Sequence, residues 1–133
     1  MIYFLDTNIC IYHFNQRSQN ILEKFNEIGN KNIKIPAVVS AELYYGAEKS
    51  VKREYNLKRY TEFLSWFKIV PFSSNASPVY GEIRADLERK GTIIGWNDLL
   101  IAAIVITYDG TLVTNNTEEF SRINKLKLEN WIK

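Results

Sequence analysis

Apolar residues along this chain follow two spacings: short unbroken runs, and longer stretches in which they return every third or fourth position. Ile2 to Leu5 is a run without polar alternation and too short for a helix, the pattern of a strand covered on both faces. After a loop, Ile21, Phe25 and Ile28 fall at i, i+4 and i+7, with Ser18 placed as N-cap and Gly29 as the stop of a helix. Ile33 to Ile35 predicts a second strand, and Pro36 turns the chain into a helical segment containing Ser40, Ala41, Glu42, Leu43 and Tyr44. Leu57, Tyr60, Leu64 and Phe67 mark another helix, followed by a strand over Ile69, Val70, Pro71 and Phe72 that Pro71 keeps short or near an edge. Ser77 and Pro78 resemble an N-cap and a first helical proline, Tyr80, Ile83 and Leu87 supply the buried stripe, and Gly91 closes that helix. Asn97 or Asp98 opens a helix over Leu99 to Thr107 that is apolar nearly all round and therefore buried. Leu112 to Thr114 predicts a strand, Asn116 to Arg122 a short helix, and Leu126 to Trp131 a terminal strand.

Strands separated by helices imply an α/β fold: a parallel sheet joined by right-handed crossovers, with helices on both faces. No repeat, low-complexity tract or linker interrupts the pattern, and 133 residues, 46% hydrophobic, are enough for one core, so a single domain over 1–133 is expected. The N-terminal stretch Met1 to Asn8 passes straight into a strand pattern, and no long uncharged apolar run occurs, so neither a leader nor a membrane span is expected. The single cysteine, Cys10, lies among Ile9, Ile11 and Tyr12 and reads as a small buried hydrophobe, consistent with a cytoplasmic protein. A net charge of +2 is far from the excess that announces nucleic-acid binding by itself. Lys49, Lys52, Arg53, Lys58 and Arg59 do cluster against Glu48 and Glu54, a pattern read first as a solvated helix face and second as a phosphate-binding patch.

In parallel α/β sheets the ligand site lies beyond the carboxyl ends of the strands. That rule selects four acids. Asp6 follows the first strand directly, Glu42 lies in the helical segment after the second, Asp98 stands at the start of the most hydrophobic helix, and Glu119 comes just after the Leu112–Thr114 strand. Each has an ordinary alternative: an N-cap or Asx-turn for Asp6, a solvated helical position for Glu42, a cap or helix-dipole role for Asp98, and capping-box spacing from Asn116 for Glu119. Together they would crowd one sheet edge and repel one another without a cation. Mg²⁺ or Mn²⁺ prefers hard oxygen ligands and keeps several waters, whereas one cysteine and one histidine cannot build the usual zinc site. Such an ion polarises a phosphodiester and activates water, so hydrolysis needs no histidine. His13, the only histidine, excludes a ribonuclease built on a histidine pair and reads as structural beside Tyr12 and Phe14.

The segments Phe4-Leu5-Asp6-Thr7-Asn8, Ser40-Ala41-Glu42-Leu43-Tyr44-Tyr45-Gly46, Gly95-Trp96-Asn97-Asp98-Leu99-Leu100-Ile101-Ala102-Ala103 and Leu112-Val113-Thr114-Asn115-Asn116-Thr117-Glu118-Glu119-Phe120 run the length of the chain. In their order and spacing the sequence resembles the PIN-domain nucleases and, within them, the VapC toxins of bacterial toxin–antitoxin pairs. The resemblance implies a three-layer α/β/α sandwich on a mainly parallel sheet of about five strands, a homodimer, and Mg²⁺- or Mn²⁺-dependent endonucleolytic cleavage of RNA restrained by a VapB-type antitoxin. Any contact with DNA would come through that antitoxin. Asp6, Glu42 and Asp98 match the family's core acids. Many PIN domains place an aspartate directly after the strand where this chain has Asn115 and Asn116, and Glu119 is assigned as the fourth acid, acting directly or through water. Thr7, Asn8, Thr114, Asn115 and Asn116 would orient the carboxylates. Members with this closing segment cut structured RNA, often transfer RNA. Tyr44, Tyr45 and Trp96 flank the motif acids and would stack on splayed bases unless they serve the core or a dimer interface. Arg84 and Arg89 would contact phosphate, although Arg84 with Glu88 and Asp86 with Lys90 also have i, i+4 ion-pair spacing.

Two other enzymes place an aspartate after the first strand. A phosphoaspartyl phosphatase needs a second acid two positions later, where Asn8 stands, and a response-regulator phosphoacceptor needs an acidic neighbour that Asp6 lacks. A non-enzymatic RNA-binding or interaction module remains the alternative from another class. The presence of all four acids argues against a decayed site.

Overall fold

The computed structural model of the chain describes residues 1–132. In chain order the elements are β1 (Tyr3–Leu5), α1 (Thr7–Phe14), α2 (Gln19–Ile28), a 3-10 turn (Asn30–Asn32), β2 (Ile33–Pro36), α3 (Ala37–Glu48), α4 (Arg53–Leu64), β3 (Lys68–Val70), α5 (Ala76–Lys90), α6 (Trp96–Thr107), β4 (Thr111–Val113), α7 (Thr117–Phe120) and β5 (Lys127–Glu129). The strands form one sheet in the order β3-β2-β1-β4-β5, and every pairing is parallel. From β1 the chain builds outward through β2 to β3, then crosses back to lay down β4 on the other side of β1. The connections therefore diverge between β1 and β4, and a parallel sheet opens a crevice at the carboxyl ends of such a pair.

The period-two geometry of β1 explains why it is apolar throughout. Tyr3 faces one side, where its ring lies 5.3 Å from Trp131, which in turn meets Phe25 of α2 edge-on at 6.2 Å. Phe4 faces the other side, 6.4 Å from Tyr108 at the end of α6. Helices thus cover both faces, and Phe4, Leu5, Leu112 and Val113 are fully buried between them. The core continues through Ile101, Ala102, Ala103, Ile104 and Val105 of α6, none of which reaches solvent, as the all-round hydrophobicity of that segment predicts. Cys10 is fully buried.

Several element boundaries differ from the sequence expectation. The segment read as a loop after β1 is helix α1, anchored by the buried Ile9 and Cys10. Helix α5 begins at Ala76 with Asn75 in the capping position, so Ser77 and Pro78 lie inside its first turn, where proline is tolerated because no intrahelical partner awaits its missing N–H. Helix α6 begins at Trp96 after Gly95, which puts Asp98 inside the helix and not at its cap. The edge strand β3 spans Lys68–Val70 and stops before Pro71. Ser18 does cap α2, accepting from the Ile21 N–H at 3.4 Å, and Gly91 closes α5 in the left-handed conformation at φ 68°. Phe67 falls beyond the end of α4, which closes at Leu64, and is buried in the turn that follows.

The turn from α6 to β4 carries the tightest steric constraint. A side chain on Gly110 would place its Cβ 2.5 Å from Phe4 Cε2 and 2.6 Å from Cδ2, against a ring with no free volume to move into. Gly110→Ala is expected to destabilise the protein by about 1–3 kcal/mol through overpacking, measured as a lowered urea midpoint with an unchanged slope.

Candidate functional site

Asp6 sits where β1 becomes α1, on the β4 side of the sheet. Its backbone N–H donates to Val113 O at 2.9 Å, extending the β1–β4 ladder by one residue. Its carboxylate is 5% exposed. Burial raises the Asp6 pKa, opposed by hydrogen bonds from the Thr114 hydroxyl and the Thr7 N–H, while Glu42 and Glu119 push it further up. The donors are specific: Thr7 N–H to Oδ1 at 2.8 Å, Thr114 Oγ1–H to Oδ2 at 2.7 Å, and Asn8 Nδ2–H to Oδ2 at 3.3 Å. The Thr114 hydroxyl also accepts from the Asn116 N–H at 2.9 Å, which fixes its own proton toward Asp6. Asp6 is therefore the N-cap of α1 and a desolvated carboxylate at once.

The remaining acids approach this point from separate elements. Glu42, on α3, accepts from the Thr7 hydroxyl at 2.7 Å, so one threonine links both acids. Glu119, on α7, accepts from the Gly95 N–H at 3.2 Å and from the Asn116 side-chain amide. Capping-box spacing is present, yet Asn116 donates to the Glu119 carboxylate and makes no side-chain cap bond of its own. Asp98, in the first turn of α6, has no amide or hydroxyl donor among the described residues. Burial, then the charges of Asp6, Glu119 and Glu42, then a hydrogen bond shared with Glu119, push its carboxyl up to about 7. All four sequence-selected acids thus act on one another electrostatically.

Among the described residues no three acids stand close enough to enclose an ion as they are placed. Mg²⁺ keeps several waters and takes one or two carboxylates directly, so it does not require a closed cage. The donor set is all oxygen, and the raised pKa of Asp98 reflects burial and the negative charge of its neighbours; carboxylate oxygens of this kind fit a hard divalent cation.

The orienting residues divide by role. Thr7, Asn8 and Thr114 touch carboxylates with their side chains, and Asn116 does so through its amide. Asn115 acts through its backbone, its N–H donating to Asn8 Oδ1 at 3.1 Å while its side chain turns toward Asn130. Gly95, which sequence patterning did not single out, supplies a donor to Glu119 and lies where an added Cβ would stand 3.6 Å from Asp98 Oδ2; its position in the segment ahead of Asp98 was the available signal. Trp96 is 64% exposed and Tyr45 65%, the Arg84 guanidinium lies 3.9 Å from the Trp96 ring centre, and Lys49 Nζ lies 4.6 Å from that of Tyr45. Tyr44 is tied to Thr61 of α4 through its hydroxyl at 3.2 Å. Arg84 is also bonded to Tyr80 and Glu88, and Arg89 pairs with Asp86, as does Lys90. His13 packs on Phe25 and Phe63 at the wall of a separate groove of about 620 Å³ between α1, α2 and α4, and burial together with Arg59 lowers its pKa, in keeping with a structural role.

A PIN-domain family model matches residues 3–126. Ribonuclease VapC2 of Rickettsia felis is 48% identical over 134 residues, spanning 100% of both chains. The tRNA(fMet)-specific endonuclease VapC of Salmonella typhimurium is 37% identical over 129 residues, 97% of each chain. The crystal structure of VapBC2 from Rickettsia felis bound to a DNA fragment from their promoter superposes with a TM-score of 0.92 at 49% identity, covering 98% of this chain and 99% of that one.

A folded-state pKa raised above the unfolded value gives stability that is complete below the unfolded pKa and is lost as pH rises through the folded one. For Asp98 that window runs from the ordinary carboxylate range of ~4 to about 7. In chelator, the melting temperature is expected to fall across this window in the wild type and to fall less in Asp98→Asn; parallel melting curves for the two proteins would contradict the electrostatic coupling.

Proposed function

Since the chain belongs to the PIN-domain family, in its VapC group, we propose that it is a divalent-metal-dependent endoribonuclease toxin, neutralised by a VapB-type antitoxin. The observation that carries this is the approach of acids from separate elements to the crevice between β1 and β4, with Asp6 held by Thr7 and Thr114, Glu42 tied to Thr7 and Glu119 to Gly95, and with the Asp98 pKa raised by burial and by the charges of the other three. A fold gains nothing in stability from crowding charges this way, and such perturbed groups mark functional sites.

Asp6, Asp98, Glu42 and Glu119 would hold Mg²⁺ or Mn²⁺, Glu119 directly or through water. When bound, the cation neutralises the developing charge on a phosphodiester and makes water a competent nucleophile near neutral pH. The chain's own residues do the rest. Thr114, Asn8 and the Thr7 N–H hold the Asp6 carboxylate, with Thr114 and the Thr7 N–H opposing the burial that raises its pKa, while Thr7 orients Glu42, and Asn116 with the Gly95 N–H orients Glu119. Attack by water, and not by the RNA's own 2′-hydroxyl, leaves a 5′-phosphate and a 3′-hydroxyl.

The tRNA(fMet)-specific activity named for the Salmonella relative, and two exposed aromatics near the acids in the chain, support structured RNA as the substrate class. Trp96 with Arg84 stacked on it, and Tyr45 with Lys49, present flat π-faces next to positive charge, the combination that holds an unpaired base and its phosphate. A loop of structured RNA such as tRNA presents bases in that state. Tyr44, held by Thr61, has less freedom to serve. The antitoxin partner is supported by the VapBC assemblies named for the structural neighbours; a homodimer belongs to the same proposal on the family resemblance alone. No helix among the described residues is long and apolar enough to cross a membrane, which agrees with action on cytoplasmic RNA.

The purified protein is expected to cut total RNA at a few discrete positions with Mn²⁺ or Mg²⁺, to stop in EDTA, and to leave 5′-phosphates; a 2′,3′-cyclic phosphate or cleavage in chelator would overturn the mechanism. Asp98→Asn should fold normally and lose on the order of a hundredfold or more in single-turnover rate. Expression without antitoxin should arrest growth for the wild type and not for Asp6→Asn at equal protein levels.

A further inference from the structure

Beyond the acids and their immediate partners, a line of polar contacts runs from the last described residues back to Asp6. The Ile132 N–H donates to Asn130 Oδ1 at 3.0 Å, Asn130 Nδ2 donates to Asn115 Oδ1 at 3.1 Å, the Asn115 N–H donates to Asn8 Oδ1 at 3.1 Å, and Asn8 Nδ2 donates to Asp6 Oδ2 at 3.3 Å. We propose that Asn130 is a positioning residue for the acid site, holding Asn115 so that the Asn8 amide can present only its N–H₂ group to Asp6. This rests on the metal-dependent reading of the site given above.

The direction of the chain is set by its backbone members. A peptide N–H only donates, so the Ile132 N–H fixes Asn130 Oδ1 toward itself and turns Nδ2 to Asn115. In the same way the Asn115 N–H fixes Asn8 Oδ1, which leaves Nδ2 facing Asp6. Were Asn115 displaced, the Asn8 amide would be free to rotate, and half of its orientations would set a carbonyl oxygen against the Asp6 carboxylate. Asn115 is exposed and follows directly on the last residue bonded to Asp6, so its own burial does not hold it. Asn130 does, from a segment that is itself well anchored: Trp131 is 1% exposed, its carbonyl accepts from Asn20 at 2.8 Å, and the Ile132 carbonyl accepts from Ser18 at 3.1 Å. The preceding Glu129 carbonyl accepts from the Thr114 N–H at 2.9 Å, so residues 129–132 brace both neighbours of the site loop.

Asn20 provides the control, because it anchors the same segment without belonging to the line. In metal-free protein, the Asn8 side-chain amide resonances are expected to move and to exchange faster with solvent in Asn130→Ala and in Asn130→Asp, which keeps the acceptor for the Ile132 N–H but has no donor for Asn115. Asn20→Ala should leave them in place. A Mn²⁺ titration followed by the free-ion EPR signal should show affinity weakened about tenfold in both Asn130 variants, the low end for partners outside the ligand shell, and unchanged in Asn20→Ala. Unmoved Asn8 resonances in the Asn130 variants, or an equal change in Asn20→Ala, would overturn the proposal and leave Asn130 a mere anchor. If the wild type binds no Mn²⁺ and cuts no RNA, the site reading fails, and the Asn8 resonances still decide the positioning role.

Discussion

A buried carboxylate at the junction of β1 and α1 is the constraint around which the rest of this molecule is arranged. Asp6 cannot be moved along the chain: its N–H completes the ladder to β4, its side chain caps α1, and its position lies where strand connections diverge. A carboxylate that is 5% exposed is costly unless hydrogen-bonded. Donors from β1's own continuation and from the end of β4 offset that cost, which is why Thr7, Asn8 and Thr114 belong to the same structural unit as the acid they hold. The parallel pairing of Leu5 with Val113 brings Thr114 beside Asp6, so strand register and site chemistry are one geometric fact.

The acids are not equivalent. Asp6 has three donors, Glu119 two, Glu42 one, and Asp98 none of the ordinary kind. The gradient would suit the proposed Mg²⁺, which dehydrates reluctantly and demands near-octahedral geometry. One rigid anchor with progressively freer partners meets that demand better than four fixed oxygens. The electrostatic cost falls most heavily on the acid with the fewest donors, Asp98, whose carboxyl is pushed up to about 7. Asp98 stands inside the first turn of a helix that Leu99 and Ile101 to Val105 anchor in the core, so its backbone is held while its carboxylate has no amide or hydroxyl donor among the described residues.

Much of this was legible in the sequence because strand-then-helix alternation and the position of acids relative to strand ends follow from spacing alone. Ile2 to Leu5 and Leu112 to Thr114 announced the two central strands, and the acids after them announced the crevice. Helix α1 was not legible. Thr7, Asn8, Ile9, Cys10, Ile11, Tyr12, His13 and Phe14 are all middling or poor helix formers, with no clean apolar stripe. The helix exists because Asp6 caps it and Ile9 and Cys10 reach the core, a tertiary cause that periodicity does not carry. Asp6 does cap α1, and that does not exclude the proposed role in the acid site, since one carboxylate has lone pairs for both. The start of α6 was misplaced by two or three residues because Asn97 or Asp98 looked like a cap, whereas Gly95 fills that place with its backbone, leaving the Asp98 side chain free of a capping role.

The same logic explains why asparagine, and not aspartate, occupies so many positions around the site. Asn8, Asn115, Asn116 and Asn130 supply hydrogen bonds of either sense without adding charge where charge is already excessive. An acid at residue 115 or 116, where many PIN domains carry one, would add a fifth negative charge beside Asp6 and Asp98 and could not donate to Glu119. The chain instead reaches the fourth carboxylate from one turn further along, on α7, and spends an amide to hold it there. Neutral polar scaffolding of this kind supports the carboxylates without adding charge: the Asn8 and Asn116 amides donate to Asp6 and Glu119, while the Asn8 and Asn130 carbonyl oxygens are directed to backbone N–H groups and so away from the acids.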